Sequence, residues 1–307
     1  MKPNPRIRRV EAIPARGCPR ADAMTTLRRP CLVAFSGPTI GASRASPPAV
    51  DDDLGDMAKA MAMLAERRAT RPMRQRPSSE VRILTLTDAV FARGERAVTD
   101  MLGWWESERG NGAPWTIWPP AFLLGLLDGP EGLLALEHLL ESLGPGEAAA
   151  VQVAADALSA APHPDVPALA EDLLEAENPV ARAIGVEVLA RRRRLGAERV
   201  TRLLDGAAPT LLAACLRALV RIEDEPPAIE RVLPLLHHPD PEVAWEAARA
   251  VTLWGAHDAL RAVRQGHPLG AILGTRAAEL FVMAGEADDL AHLEGLVARS
   301  PLTPALL

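Results

Sequence analysis

The chain has 307 residues, of which 48% are apolar and only 3% are aromatic, and it contains no tyrosine. Strands prefer aromatic and β-branched residues, so this composition argues against a β-sandwich or a β-barrel. The abundant Ala, Leu, Arg and Glu residues favour helices instead.

Charge is distributed unevenly along the chain. The net charge is −6 overall, yet residues 1–50 contain 9 Lys and Arg against 2 Asp and Glu. Residues 81–307 contain 19 basic and 32 acidic residues, so the part expected to fold is strongly acidic. A surface that binds a phosphate backbone is normally basic. We therefore predict that the chain binds no nucleic acid.

Cysteine content and hydropathy bear on the location of the protein. Cys18, Cys31 and Cys215 are too few and too scattered for a disulfide framework, and the sequence has no CxxC motif. This usage is typical of a reducing compartment and predicts a cytoplasmic protein. The longest apolar run, near Ala121–Leu127, is far shorter than the roughly 18–20 residues of a membrane-spanning helix. No membrane partner is predicted.

The first 56 residues are rich in Pro, Arg, Ser and Gly and show no sustained periodicity. This composition predicts a disordered basic leader over residues 1–56. The leader has two interpretations. It is either a basic tail for an acidic partner, or a flexible extension upstream of an alternative start at Met24 or Met57.

Residues 57–130 are predicted to form a helical, Trp-rich segment. Residues 81–87 alternate like a strand, but Thr87 and Asp88 would make a good N-cap for a helix over Ala89–Glu108. Four of the six Trp lie between positions 104 and 118. They indicate either an aromatic binding patch or a cap over the first face of a helical stack, and the cap is the favoured interpretation.

The remainder of the chain, residues 131–307, contains a repeat. Helices rich in Ala align without gaps from Pro179, Pro209 and Pro241, with weaker copies over Ala148–Leu158 and Ala271–Phe281. Each copy has a small anchor residue where helices are expected to approach closely, and successive anchors are 31, 30, 32 and 30 residues apart. The anchors are Ala154, Gly185, Cys215, Ala247 and Ala277.

Paired apolar residues such as Leu203-Leu204 and Leu235-Leu236 keep the same period ahead of these helices. Two independent features with one period predict a stack of helix pairs. Proline at the first helical position costs no hydrogen bond, and Asn178 and Asp240 are suitable N-caps. Left-handed C-caps are predicted at three glycines. These are Gly196, Gly255 and Gly285.

The clearest copy contains the turn Asp240-Pro241-Glu242-Val243, followed by Ala247-Ala248 and Ala250-Val251. An Asp-Pro turn, a Val two positions on and paired Ala residues resemble the short HEAT-like repeats of phycobilisome-lyase-type proteins. The resemblance covers residues 131–307. It implies an all-α fold, an α-α superhelix in which about five helix pairs form a solenoid. From their Trp content, residues 57–130 are predicted to cap this solenoid.

The sequence departs from the HEAT pattern in one respect. The Arg usually found just after that Val is Ala244 here, and it is present as Arg182 in one copy but replaced by Leu212 and Gly274 in others. We therefore expect the Asp–Arg ladder between repeats to be mostly absent and the stacking to rest on apolar packing. Ser300–Leu307 begins what would be another second helix, so the chain is expected to end within a repeat.

The sequence shows no credible catalytic or metal-binding constellation, and neither an enzyme nor a cofactor is predicted. None of the seven His pairs at metal-ligand spacing. The sharpest surface feature is a run of four Arg that ends a helix, where cations complement the helix dipole or form a contact patch. Candidate partner-binding residues are Arg191, Arg192, Arg193, Arg194, Arg217, Arg249, Trp104 and Trp115.

The leading functional hypothesis is a non-enzymatic scaffold or adaptor that binds a protein partner on its curved surface. Similarity to bacterial HEAT-like proteins implies a narrower role as an accessory factor of a type VI secretion effector cluster. The alternative is an enzyme-associated HEAT protein, either a bilin-lyase-like subunit or a DNA-glycosylase-like protein. The glycosylase alternative requires a basic concave groove, which an acidic folded part does not provide.

Overall fold

The computed structural model describes residues 52–70, 76–94, 96–222, 229–256 and 276–284, with the single positions 261, 273 and 294. The described residues form helices and no strand, which confirms the all-α prediction. The helices are α1 Asp52–Thr70, α2 Arg76–Phe91, α3 Arg96–Glu108, α4 Trp118–Leu124, α5 Pro130–Glu141, α6 Ala150–Ala160, α7 Val166–Glu175, α8 Pro179–Arg191, α9 Ala197–Leu203, α10 Pro209–Ile222, α11 Ile229–Val232, α12 Pro241–Leu253 and α13 Ala277–Ala284. Short 3₁₀ turns lie at Arg109–Asn111, Pro114–Ile117, Pro145–Glu147 and Leu233–His237. None of the described helices is long and apolar enough to cross a membrane.

The N-terminal helices differ from the predicted ones at two boundaries. Helix α1 begins at Asp52 and buries Leu54, so the first helix overlaps the end of the predicted leader. Residues 81–87 lie inside α2, so both the strand alternative and the N-cap at Thr87 were wrong. The hydroxyl of Thr87 donates to the carbonyl oxygen of Ile83 at 2.9 Å, which satisfies it within the helix. The chain turns instead at Gly94, whose φ is +88°.

From α7 onward, a shorter helical element alternates with a longer helix, and α6 occupies the place of a longer helix ahead of α7. Helix α7 packs on α8, α9 packs on α10, and the turn Leu233–His237 packs on α12. The longer helices also contact one another in chain order, from α6 through α8 and α10 to α12. The side chains between them form one continuous apolar core.

Two of the predicted N-caps are confirmed. The Asn178 side chain accepts a hydrogen bond from the Val180 N–H at 2.8 Å. The Asp240 carboxylate accepts from the Glu242 and Val243 N–H groups at 2.9 and 3.2 Å. Each cap satisfies backbone donors that the first turn of a helix leaves free.

The C-cap predictions had mixed outcomes. Gly255 follows α12 with a φ of +76°, as predicted. Gly196 has a φ of −88° and precedes α9, so its assignment as a C-cap was wrong. The left-handed residue after α8 is Arg193, with a φ of +55°. Gly285 lies outside the described residues, as do the remainder of the leader and the predicted ending within a repeat.

The anchor residues lie where helices approach closely. All five are buried, and at Gly185 the neighbouring helix leaves no room for a side chain. A Cβ atom on Gly185 would lie 2.7 Å from the carbonyl oxygen of Ala170 on α7. That contact is shorter than van der Waals packing allows, so only glycine fits at this point of α8.

The Trp-rich segment is mainly interior. Trp104, Trp105 and Trp118 are at most 4% exposed, and Trp118 stacks on Phe122 with ring centroids 4.5 Å apart. Trp115 is the partly exposed member of the group. Three of these four rings therefore contribute to the core and do not form a surface patch.

We expect Gly185→Ala to lower the free energy of unfolding by about 1–3 kcal/mol, because the added methyl group meets backbone atoms that cannot move independently. Gly103→Ala is the matched control. Gly103 also lies inside a helix, but a Cβ atom there meets nothing within 4 Å. It should stabilise the protein by about 0.5–1 kcal/mol through helix propensity. Urea denaturation measures both, and a stabilised Gly185→Ala variant would contradict the close packing of α7 on α8.

Candidate functional site

A row of charged side chains, three of which are buried, links the longer helices, and we call it the charge ladder. Its members are Asp156 of α6, Glu187 and Arg191 of α8, Arg217 and Arg221 of α10, and Glu246 and Arg249 of α12. Glu187 is 0% exposed, Glu246 is 4% exposed and Arg217 is 5% exposed. Charged groups are almost never buried to this degree unless they are paired.

Arg217 is the centre of the ladder. Its Nε donates to Glu187 and its Nη1 donates to Glu246 at 3.1 Å. The same guanidinium group lies 3.6 Å from the Glu242 carboxylate. One side chain of α10 therefore joins α8 on one side to α12 on the other. Burial alone would lower the pKa of Arg217, but the attraction of Glu187 and Glu246 raises it above its ordinary value.

Glu187 is the most enclosed carboxylate described. Besides Arg217 it accepts a hydrogen bond from Arg221, and its Oε2 lies 3.6 Å from Nε of Arg191. Burial works to raise the pKa of Glu187, but the three guanidinium groups outweigh burial and lower it. Glu187 is thus held as an anion inside the protein.

Asp156 connects the ladder to the N-terminal helices. Its carboxylate accepts from Arg68 of α1 and from the Trp118 indole N–H at 2.9 Å. It also accepts from Arg191 of α8 at 3.4 Å. The ladder therefore runs without interruption from α1 to α12.

The ladder is suited to holding helices together and not to chemistry. Its carboxylates and guanidinium groups are all paired, so none is poised to accept or deliver a proton. Cys215, the nearby free thiol, is buried, and burial raises its pKa to about 12. A thiol with that pKa stays protonated at neutral pH and is a poor nucleophile. Within the described part of the chain, no group of His, Cys, Asp and Glu is arranged to hold a metal ion.

The structure places the predicted partner-binding Arg residues in different environments. Arg217 is buried in the ladder, so it does not offer a surface contact, and Arg191 and Arg249 pair with ladder carboxylates. The Arg192 guanidinium donates to the carbonyl oxygens of Leu158 and Ala161, at 2.7 and 2.5 Å, where α6 ends. Arg193 and Arg194 are exposed. The predicted patch is therefore reduced to these two side chains, because the other cations satisfy interior groups.

The two Trp residues predicted to contact a partner also lie in different environments. The Trp104 side chain is 3% exposed and lies in the core, which its size and apolar surface favour. Trp115 is only partly buried and packs against the core. Trp115 therefore keeps some surface for a partner, whereas Trp104 does not.

The sequence reasoning missed the ladder and expected stacking by apolar packing alone. That expectation was wrong, because buried ion pairs join successive helices. The alignment of the repeat copies within the chain did contain a signal for these ion pairs. Asp156, Glu187 and Arg217 each lie two positions after an anchor residue. Charges at equivalent positions on otherwise apolar helix faces indicate pairing between neighbouring copies.

Arg182, the one Arg retained at the expected ladder position, has another role. Its Nε donates to the carbonyl oxygen of Leu174 at 3.2 Å, near the end of α7. It therefore satisfies a helix C-terminus and does not pair with an Asp of the neighbouring copy.

The second candidate feature is a surface groove between α5 and α7, with a volume of about 580 Å³. We call it the acidic groove. Its lining contains the carboxylates of Asp128, Glu137, Asp165 and Asp172 and no Lys or Arg. Its apolar lining residues include Leu133 and Leu134, and Leu134 is 62% exposed. A large exposed Leu beside uncompensated carboxylates is a surface with a mixed apolar and anionic character.

The stability contributions of Glu187 and Arg217 should be strongly coupled, because the two side chains pair directly. We expect Glu187→Gln and Arg217→Gln each to lower the free energy of unfolding by about 3 kcal/mol, because each leaves a buried charge without its main partner. The double variant should lose at least about 1 kcal/mol less than the two losses added together. Urea denaturation of all four proteins gives this coupling. The control is Arg199→Gln, which breaks the half-exposed Arg199–Glu171 pair and should cost less than about 1 kcal/mol. Additive losses would contradict direct pairing.

Lowering the pH should weaken the contribution of Glu187 to the free energy of unfolding. Its folded-state pKa is lower than its ordinary value of 4.5, so the unfolded state binds more protons as the pH falls. The stabilisation by the ionised carboxylate is complete above pH 4.5 and is lost as the pH falls through the folded-state pKa. We expect the stability difference between the wild type and Glu187→Gln to shrink as the pH falls below about 5. A difference that stays constant over this range would contradict a depressed pKa.

Comparison with protein-family models, with curated proteins and with solved structures finds no match to this chain. What the protein does must therefore be inferred from its geometry and charge.

Proposed function

We propose that this chain is a non-enzymatic scaffold of HEAT-like helix pairs arranged as a solenoid, and that it binds a protein partner on its surface. The observation that carries the proposal is the charge ladder, which joins helices of successive copies at the period of the repeat. The Arg217–Glu187 contact spans 30 residues and the Arg217–Glu246 contact spans 29. A repeat protein is stabilised by such contacts between neighbouring units.

Further pairs of the same kind support this arrangement outside the ladder. Arg199 of α9 pairs with Glu171 of α7 at 2.7 Å, across 28 residues. The Arg276 guanidinium pairs with Glu242 of α12 at 2.7 Å, across 34 residues, and lies 4.7 Å from the Trp245 ring centroid. Both pairs join neighbouring units. In this proposal residues 57–130 cap the first unit, with the buried Trp rings covering its apolar face.

The paired charges of the interior and the groove at the surface favour a binding function over an enzymatic one. The buried ionisable groups of the ladder satisfy one another, and the described surface has a groove with an exposed apolar side chain. Rigid helical surfaces of this type hold partners by complementary shape and charge. The DNA-glycosylase alternative is disfavoured because the groove between α5 and α7 is lined by carboxylates.

Affinity purification of the tagged full chain, with cross-linking and mass spectrometry, tests the proposal. We expect one partner at a fixed stoichiometry, and we expect the complex to form again from the two purified proteins. A tagged unrelated acidic protein of similar size controls for nonspecific capture. A chain that forms no protein complex and instead converts a small molecule would contradict the scaffold function.

Nucleic-acid binding gives a second test. Neutralised phosphates and released counterions drive such binding, and an acidic surface repels the backbone. We expect a fluorescent 20-base-pair duplex to show no change in anisotropy with the full chain at about 150 mM salt. Binding that weakens steeply as the salt concentration rises would contradict the scaffold assignment and favour the glycosylase alternative.

A further inference from the structure

We infer that the acidic groove is a docking site for a basic amphipathic segment of a partner protein. In this arrangement an apolar side chain of the partner packs against Leu133 and Leu134, while flanking Lys or Arg side chains pair with the carboxylates. The inference rests on the proposed scaffold function and assigns the surface and the chemistry of its partner.

The shape of the groove is already formed without a partner. Gly129 has a φ of +103° and leads directly into Pro130, the first residue of α5. A Cβ atom on Gly132 would lie 2.8 Å from the Cβ of Leu127, so α5 packs closely against the preceding segment. On the other wall, the buried His163 accepts a hydrogen bond from the Asp165 N–H at 3.1 Å through Nδ1. A site fixed in advance loses little entropy when a partner binds.

The groove has an apolar surface that the fold leaves uncovered. Leu133 is partly buried and packs against the core, whereas the neighbouring Leu134 projects into solvent at 62% exposure. Among the described helices, α5 and α7 contact each other, and the groove runs between them. A volume of about 580 Å³ lies within the range of about 300–1,000 Å³ that is typical of ligand-binding clefts.

The charge of the acidic groove determines which kind of segment can bind there. Within the described part of the chain, none of the four groove carboxylates forms an ion pair, although the adjacent Glu171 pairs with Arg199 at 2.7 Å. Four uncompensated anions around an apolar strip attract a basic segment and repel an acidic one. They also repel nucleic acid, and a second copy of the acidic body would bring like charges together. A basic amphipathic segment is the partner class that satisfies both parts of the surface.

The test uses the full chain and a fluorescein-labelled 14-residue peptide of alternating Leu and Lys blocks, measured by fluorescence anisotropy at about 50 mM and about 300 mM salt. We expect saturable binding that weakens with salt. Leu134→Ser should raise the dissociation constant roughly tenfold, because the apolar contact is lost. Joint neutralisation by Asp128→Asn, Glu137→Gln, Asp165→Asn and Asp172→Asn should raise it at least tenfold and flatten the salt dependence.

A charge-matched control separates the groove from the net charge of the chain. The variant Glu80→Gln, Glu106→Gln, Glu177→Gln and Glu198→Gln removes four exposed carboxylates outside the groove. It should bind the peptide like the wild type. Thermal denaturation should show both quadruple variants folded, because three of the groove carboxylates and all the control carboxylates are exposed.

Three results would overturn the groove assignment. One is no binding of the peptide, another is equal weakening by the control variant, and the third is self-association through this face in sedimentation experiments. A natural partner complex that survives groove neutralisation would overturn the docking site while leaving the scaffold function standing. If affinity purification finds no natural partner, that result would count against the scaffold function, whether or not the peptide binds.

Discussion

Glu187 is an anion with no exposure to solvent, and the arrangement of the longer helices depends on how that charge is stabilised. Removing a carboxylate from water costs several kcal/mol, which only well-placed counterions offset. Arg217, Arg221 and Arg191 supply them from α8 and α10, and Arg217 extends to Glu246 on α12. A helix that slid or rotated would separate a buried charge from its partner. The ladder therefore fixes the register of neighbouring helices more strictly than apolar contacts alone would.

The ladder also affects which charged groups are exposed at the surface. Most of the guanidinium groups predicted to contact a partner are turned inward. Arg191 and Arg217 pair with carboxylates of neighbouring helices, and Arg249 pairs with Glu246 on its own helix. The four carboxylates of the acidic groove, in contrast, have no counterion among the described residues. These carboxylates belong to the acidic excess of residues 81–307, which contain 32 acidic and 19 basic residues. The unpaired carboxylates of the groove are the reason why the proposed partner is basic.

Local signals in the sequence were sufficient for much of the fold. The caps at Asn178 and Asp240 and the proline starts of α8, α10 and α12 could be predicted, because each depends on one or two neighbouring residues. Thr87 and Gly196 were assigned wrongly because a capping residue type also fits a helix interior or an extended turn. The ladder and the acidic groove depend on which side chains of distant elements meet. Residue type alone left Arg217 equally suited to a surface patch and to a buried pair.

Native-state hydrogen exchange tests most directly whether the ladder ties the longer helices into one cooperative unit. With the ladder intact, the slowest amides of α8, α10 and α12 should open with a single free energy and the same denaturant dependence. In Arg217→Gln, α12 should open at a lower free energy than α8, because the side chain that joins them is lost. Helices that already open independently in the wild-type protein would contradict the account.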